Sequence, residues 1–559
     1  MWKAEIVKKC QKEDQVLRKV WFLTSVALLV GLLLSGCATP APSQPTEVPS
    51  ATEAPPATTA PAPTEPPAEP KVAVYLMPQD FIDLDPGLSF ARENVVINLC
   101  YENLTYYAPP GSDEIVLPGL ATSWEPNEDA TEWIFYLLED VTFQDGEPFT
   151  AEAVKATFDH FADLEGAGCS WIWSGVEEVE VVDDYTVKIT MAYPAPVDLM
   201  ATASYCGGIM SPNIIDQPKE WFDEGNCLGT GPYYIESFDK GQRLIMARYD
   251  DYWKGWEDDR FDKIVYEIVA DQVVALQMIE GGEADVLRDV APDKLETLRA
   301  NEDLQVMVHP SFVHTMFALN TVKPPLDDPL VREALAWSFP YDELIERSEG
   351  LWEQSRGAIP ATMWGYCEDC FQYTQDLDKA RDLLEQAGYP DGGFDLLVTH
   401  IPKEYQKWPV ELWAMPLEEL GITMRAQELQ FQSQWELAKS DPVTAQDVFT
   451  AAWWPSWVTP YDDLLSMFHC EDPPYFNTSY WCNEEFDAMI DEANELTGTD
   501  VEAAEQMFIE SQYIVMEENP KIFLADISTV TVMSKDIEGF VDNPAYAHVF
   551  FWHDISTTR

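Results

Sequence analysis

The chain has 559 residues and 46% apolar content, enough to bury large cores and too long for a single one, so at least two lobes are expected. Its 99 acidic against 33 basic side chains leave a formal net charge of -66. A surface this anionic repels phosphate, which argues against nucleic acid and anionic lipid headgroups as partners and suits a solvated, soluble exterior.

In chain order, Lys8, Lys9, Lys12, Arg18 and Lys19 precede an apolar run from Trp21 to Leu34. That run is short for a membrane span of roughly 20 residues and has the character of a signal-peptide core. Leu34, Ser35 and Gly36 then lead into Cys37, a pattern that resembles the bacterial lipobox, where small residues admit the peptidase and the cysteine thiol takes the lipid. Residues 1–36 are therefore expected to be a lipoprotein signal peptide and Cys37 the lipidated residue. This puts the protein outside the cytoplasm, held to the membrane through its lipid only. Residues 37–70 are almost wholly Pro, Ala, Thr, Ser and Glu, with no apolar periodicity from which to build a core. Proline at this density favours polyproline II, a stiff tether gaining about 3.1 Å per residue.

From Lys71 helices and strands alternate. Thr150 is an expected N-cap, followed by Val154, Phe158 and Phe161 at helical spacing. The stretch "EVEVVDDYTVKITM" alternates around an acidic turn and predicts a hairpin. Asp328 as N-cap and Pro329 at the first helical position start a helix carrying Leu330, Ala334 and Leu335 on one face. Another helix carries Ala380, Leu383, Leu384 and Ala387 and is stopped by Gly388. Apolar runs near Phe317 and from Ile522 to Val532 predict buried strands, one in the middle of the chain and one near its end. The class is mixed α/β. Apart from Cys10 in the leader and Cys37, an even set of eight cysteines remains, which in an exported protein argues for disulfides. Proximity favours Cys206 with Cys227, Cys367 with Cys370, Cys470 with Cys482, and Cys100 with Cys169. The "CEDC" also spells a redox motif or half a zinc site, although no second close Cys or His pair accompanies it.

Several blocks resemble the family 5 extracellular solute-binding proteins of ABC transporters, the dipeptide, oligopeptide and nickel binding group. They are "LPGLATSWEPNEDATEWIFYLLEDVTFQDGEPFTAEAVKATFDHF", "GTGPYYIESFDKGQRLIMARYDDYWKG", "IEGGEADV", "NTVKPPLDDPLVREAL", "ARDLLEQAGYPDG" and "WCNEEFDAMIDEA", in that order. The resemblance departs at "LLED", Leu137 to Asp140, where the family usually carries a base and glycine. It implies a two-lobed periplasmic-binding-protein fold of type II, the large family 5 variety, with an extra subdomain inserted in the first lobe. The first lobe would take 71–311 and the return segment 523–559, the second 312–522, with hinge crossings near "SFVHTMFALN" and "PKIFLADIS". It also implies a monomer that closes on a small organic solute and docks on an ABC permease driven by its ATPase; the alternative reading is a lipoprotein sensor that binds the ligand and reports to a receptor without feeding a permease.

In peptide-binding members of that family a Trp, followed three residues later by an Asp, lines the cleft, and the Asp pairs with the ligand ammonium. Alignment on Pro460 puts Trp453 at that Trp and Ser456 at that Asp. A buried ammonium without an anionic partner costs several kcal/mol, so the ordinary peptide contact is lost here. Asp462 and Asp463 are the neighbouring acids: they fall at the start of the following helix and are expected to cap it, and the alternative reading is a peptide binder in which one of them replaces the missing carboxylate. Trp453, Trp454 and Trp457, with Trp364 and Tyr366, then offer flat rings suited to an oligosaccharide, a peptide or an organic cation. Arg92 and Glu93 are placed near the cleft by the same resemblance. No enzymatic constellation assembles: there is no H-E-x-x-H and no G-x-S-x-G, and the S-x-x-K of Ser237 to Lys240 falls in a strand and turn. The seven histidines are scattered, so neither a metal site nor a cofactor is expected.

Overall fold

The computed structural model describes residues 69–89, 92–112, 114–165, 167–470 and 476–559. The expected leader, the lipidation at Cys37 and the linker as far as residue 68 lie outside the described residues. Among the described residues, no helix is long and apolar enough to cross a membrane.

Two large sheets organise residues 69–559. The first runs, edge to edge, Leu304–His309, Thr529–Ser534, Val286–Arg288, Val72–Met77, Lys263–Ile268, Arg243–Arg248 and Tyr233–Asp239. Alternation along Val72–Met77 sends Ala73, Tyr75 and Met77 into one core and Leu76 into another, as expected for a strand covered on both faces. The second sheet runs Trp352–Glu353, Lys521–Ile527, His314–Leu319, Val448–Trp453, Asp395–His400 and Thr423–Glu428. Every residue of its central strand His314–Leu319 is buried. Between the first sheet's opening strand and Tyr233–Asp239 the chain builds a separate four-stranded sheet, Ala121–Pro126, Glu132–Leu137, Thr186–Met191 and Val176–Asp183, packed against the helix Ala151–Asp163. The last two strands form the hairpin, with Val181 opposite Val187.

Helix starts follow the local chemistry. Asp328 accepts from Leu330 N at 2.9 Å with Pro329 in the first turn of Pro329–Ser338. In the helix Leu377–Gln386, Asp376 is the cap and Ala380, Leu383 and Leu384 are buried.

The chain passes between the sheets at residues 310–313 and at Ser528. The apolar run from Ile522 to Val532 is thus two strands on different sheets. Ile522 and Phe523 pair with Phe317 and Met316, whereas Val532 pairs with Val306 and Leu287. Residues 523–527, expected in the return segment, accordingly lie on the second sheet.

The eight cysteines form Cys100–Cys227, Cys169–Cys206, Cys367–Cys370 and Cys470–Cys482. Two of the four local pairs expected from proximity are therefore exchanged. Glycines explain the first exchange. Gly231 N donates to Cys100 O at 3.0 Å, and a Cβ on Gly229 would lie 2.1 Å from that same oxygen, so only glycine lets the loop after Cys227 lie on the end of helix Asn94–Cys100. Cys206 is held to the turn after Cys169 by Trp173 Nε1, which donates to Cys206 O at 2.8 Å.

Candidate functional site

The strand Val448–Trp453 ends with Trp453 opposite His314. Alternation puts Phe449, Ala451 and Trp453 in one core with Leu464, Met467 and Phe468 of the helix Pro460–Phe468. Trp453 is 8% exposed and meets the Phe476 ring edge to face, 5.0 Å between centroids. The chain then turns sharply. Ser456 N donates to Asp462 Oδ2 at 2.6 Å, and Thr459 caps the helix through Tyr461 N. The expectation that Asp462 and Asp463 cap this helix is thereby corrected, because Thr459 already occupies the cap.

Trp457 leaves its own lobe and joins the hydrophobic core of the first, where it is buried. Trp364 and Tyr461, both half-buried, pack against both cores. Trp364 reaches this position because Gly365 follows it at φ +75°, and a Cβ there would lie 2.7 Å from Pro460 Cγ. Trp364, Trp453, Ser456 and Trp457 therefore gather around the start of one helix, where the lobes touch. Trp454 sits beside them half-buried, and Tyr366 is half-buried on the segment after Trp364.

Beneath this aromatic layer lies a set of buried ionisable groups. Asp462, Asp463 and His314 are fully buried and Lys521 nearly so. Both Asp463 carboxylate oxygens, both His314 ring nitrogens and Trp453 Nε1 lack hydrogen-bond partners among the described residues. Burial pushes the Asp462 carboxyl up to about 8, against which the Ser456 N–H acts. Burial raises the Asp463 carboxyl too, and Asp462 adds to it; the Trp453 indole draws it partly back, although the pair falls outside hydrogen-bond geometry. Lys521, with Nζ 4.7 Å from the Phe468 ring centroid, is pushed down to about 7 by burial, opposed by Asp463. His314 is pushed down to about 3 by burial and then by Lys521. Burial thus favours the uncharged form of both aspartates.

Arg92 and Glu93 belong to another locus. Glu93 is turned into its own lobe, where Oε1 accepts from Ile82 N at 2.9 Å. Arg92 Nη2 holds Asp289 Oδ2 at 2.5 Å, and Arg92 and Tyr405 of the second lobe act on each other's ionisation. Desolvation alone would raise the Asp289 carboxyl, but the Arg92 guanidinium and then His548 hold it well below the usual range. The Asp289 side chain keeps 39% of its exposure, so this pair stands at the lobe boundary and not in the core.

A cavity of about 380 Å³ lies apart from all seven sequence candidates, within the first lobe, walled by Tyr106, Tyr107, Tyr252, Phe540 and Phe551. Its acid, Glu102, is already held by Thr230, Tyr252 and Trp253. The tryptophan loop is the stronger candidate because its buried acid is uncommitted. Cys470, Cys482 and Asp487 cluster like metal ligands, but the two sulfurs are joined in a disulfide and present no thiolate.

Residues 116–474 match the description "Bacterial extracellular solute-binding proteins, family 5 Middle". Among curated relatives, the probable D,D-dipeptide-binding periplasmic protein DdpA of Escherichia coli (strain K12) is 26% identical over 84% of this chain and 90% of its own. The glutathione-binding protein GsiB of Salmonella typhi is 27% identical over 75% of this chain and 82% of its own. Among solved structures, the ABC transporter-associated periplasmic binding protein DppA from Helicobacter pylori, in complex with the peptide STSA, superposes with a TM-score of 0.76 at 22% identity, covering 87% of this chain and 98% of that one.

Proposed function

We propose a ligand class for this chain, which belongs to the bacterial extracellular solute-binding proteins of family 5: a small amine-bearing organic solute, foremost a short peptide or peptide-like molecule. The chain is the solute-binding component of an ABC importer and not an enzyme. The observation that carries the proposal is Asp463, a fully buried carboxyl with neither oxygen hydrogen-bonded, set under Trp453 at the start of the loop that bridges the lobes. An ammonium reaching Asp463 ionises it and gains a charge-assisted hydrogen bond in a poorly solvated place, which offsets the cost of burying the cation. Asp463 thus does what Ser456 lacks the carboxylate to do. Trp457 and Trp364 close over the apolar part of the solute, and a ligand touching both lobes favours the closed form by its differential affinity. Both ligands named for the two relatives carry a free amine, which supports the class.

We place the hinge at residues 310–313 and Ser528, the lipid anchor at Cys37, and the partners at a membrane permease and its ATPase, with the protein acting as a monomer. Titration calorimetry of the full chain tests the ligand class, using free-amine dipeptides, their N-acetylated forms, glycine betaine, oligosaccharides and Ni²⁺. Free-amine dipeptides should bind and release a proton, so affinity rises with pH, and Asp463→Asn should weaken them on the order of tenfold or more. Binding of oligosaccharides alone would give the cleft to its tryptophans and overturn the role of Asp463. Exchanging Cys37 for Ala should move the protein from the membrane to the soluble fraction.

A further inference from the structure

Arg288 ends the strand Val286–Arg288 beside both lobe crossings. Thr531 is its register partner, and His309, the last residue before the first crossing, stands opposite Thr529, the first residue after the second. Arg288 is 6% exposed. Its Nη2 donates to Thr529 Oγ1 at 3.1 Å and to Asp542 Oδ1 at 2.9 Å, whereas Nε and Nη1 are buried with no hydrogen-bond partner among the described residues. The same holds for His309 Nε2, Thr531 Oγ1 and His548 Nδ1. His548 reaches this place from the return segment, where its backbone oxygen accepts from the Tyr75 hydroxyl at 3.1 Å, and the charges of Arg92, Asp289, Arg288 and Lys403 all act on its ring.

These atoms have one chemistry in common. The guanidinium nitrogens only donate, each neutral imidazole has an N–H to place, and the hydroxyl is free to turn either way. The local acids are committed, Asp542 to Arg288 and Asp289 to Arg92. With Lys403, the cations outnumber those acids, in a chain whose net charge is -66. Buried donors of this kind require an acceptor.

We propose that Arg288, with His309 and His548, receives a small carboxylate or comparable oxyanion. The inference stands on these residues and is independent of the amine reading. Parting of the lobes at the adjacent crossings supplies the way in.

The test uses two minimal probes on the full chain, sodium acetate and methylammonium chloride, each against sodium chloride at equal ionic strength, read as the thermal midpoint. Acetate should raise the midpoint saturably in the native protein, Arg288→Gln should abolish the rise, and His309→Phe, which keeps the ring against Phe540, should weaken acetate on the order of tenfold. His309→Phe decides the matter alone should Arg288→Gln not fold. An acetate response that is absent, or unchanged in these variants, overturns the anion site whatever methylammonium does. A missing methylammonium response with acetate intact overturns the Asp463 reading and leaves the anion site standing.

Discussion

Two regions treat their acids in opposite ways. Under the helix Pro460–Phe468, Asp462 and Asp463 have no cation in hydrogen-bond contact among the described residues, and burial raises both carboxyls. At the strand ends of the first lobe, Asp542 and Asp289 each hold a guanidinium, at 2.9 and 2.5 Å, and Asp289 is kept ionised. Burial alone drives a carboxyl toward its uncharged form; a cation within bonding distance reverses that. The uncommitted region is thereby able to change state when a cation arrives, whereas the committed region holds its charge.

The contrast is broken most severely by removing a partner from the committed region. Arg288→Ala should cost about 3–5 kcal/mol in urea unfolding, because Asp542 is then left charged and buried, and an equal loss from Asp542→Asn would mean that the guanidinium, not the acid, governs the pair. The uncommitted region answers to pH instead. Asp462 keeps a proton in the native state that the unfolded chain sheds above about 4, so stability falls as the pH climbs from there to about 8. Asp462→Asn should remove its own share of that slope, worth up to about 4 kcal/mol between pH 5 and 8 by the linkage relation, and leave the share of Asp463, seen as unfolding midpoints that diverge less. The smallest effect sharpens the comparison with a partnered group nearer solvent. His469, raised to about 9 chiefly by Asp491, with which it forms an ion pair at 3.6 Å, contributes stability that is fully present below about 6.5 and is lost as the pH rises through 9. His469→Gln should lower stability by about 1 kcal/mol or less at pH 6 and leave it unchanged at pH 10.

Much of this architecture is written locally. Asp328 and Pro329 announce a helix, the alternation from Val176 to Met191 announces a hairpin, and the blocks from Leu117 onward carry the family resemblance that the two sheets embody. Three indoles before a helix start predict burial, and Trp453 and Trp457 are buried. What escaped has partners far away in the chain. Cys100 meets Cys227 because two glycines lay a loop on a helix end 127 residues earlier, and proximity along the chain had favoured nearer partners. Ile522 to Val532 is apolar throughout, so no periodicity marks the change of sheet at Ser528; only pairing with Phe317 on one side and Val306 on the other divides it. The anion locus draws on residues 288, 309, 531 and 548, which share no motif. Asp463 was visible as an acid but indistinguishable from a helix cap until Thr459 was seen to hold that place.

The two crossings are themselves fastened together. Ile527 N donates to Val313 O at 2.8 Å, and the Ser311 hydroxyl donates to Ile527 O, so the strands that leave each lobe travel as one short antiparallel ribbon. A pair of separate strings would let the lobes swing, twist and slide independently. At the hinge proposed for these crossings, a bonded ribbon should resist shear and bend about a single axis, much as a leaf spring does, so that the lobes reopen along the path by which they shut. Alignment of the two halves of the cleft would then be a property of the joint, present before any solute arrives.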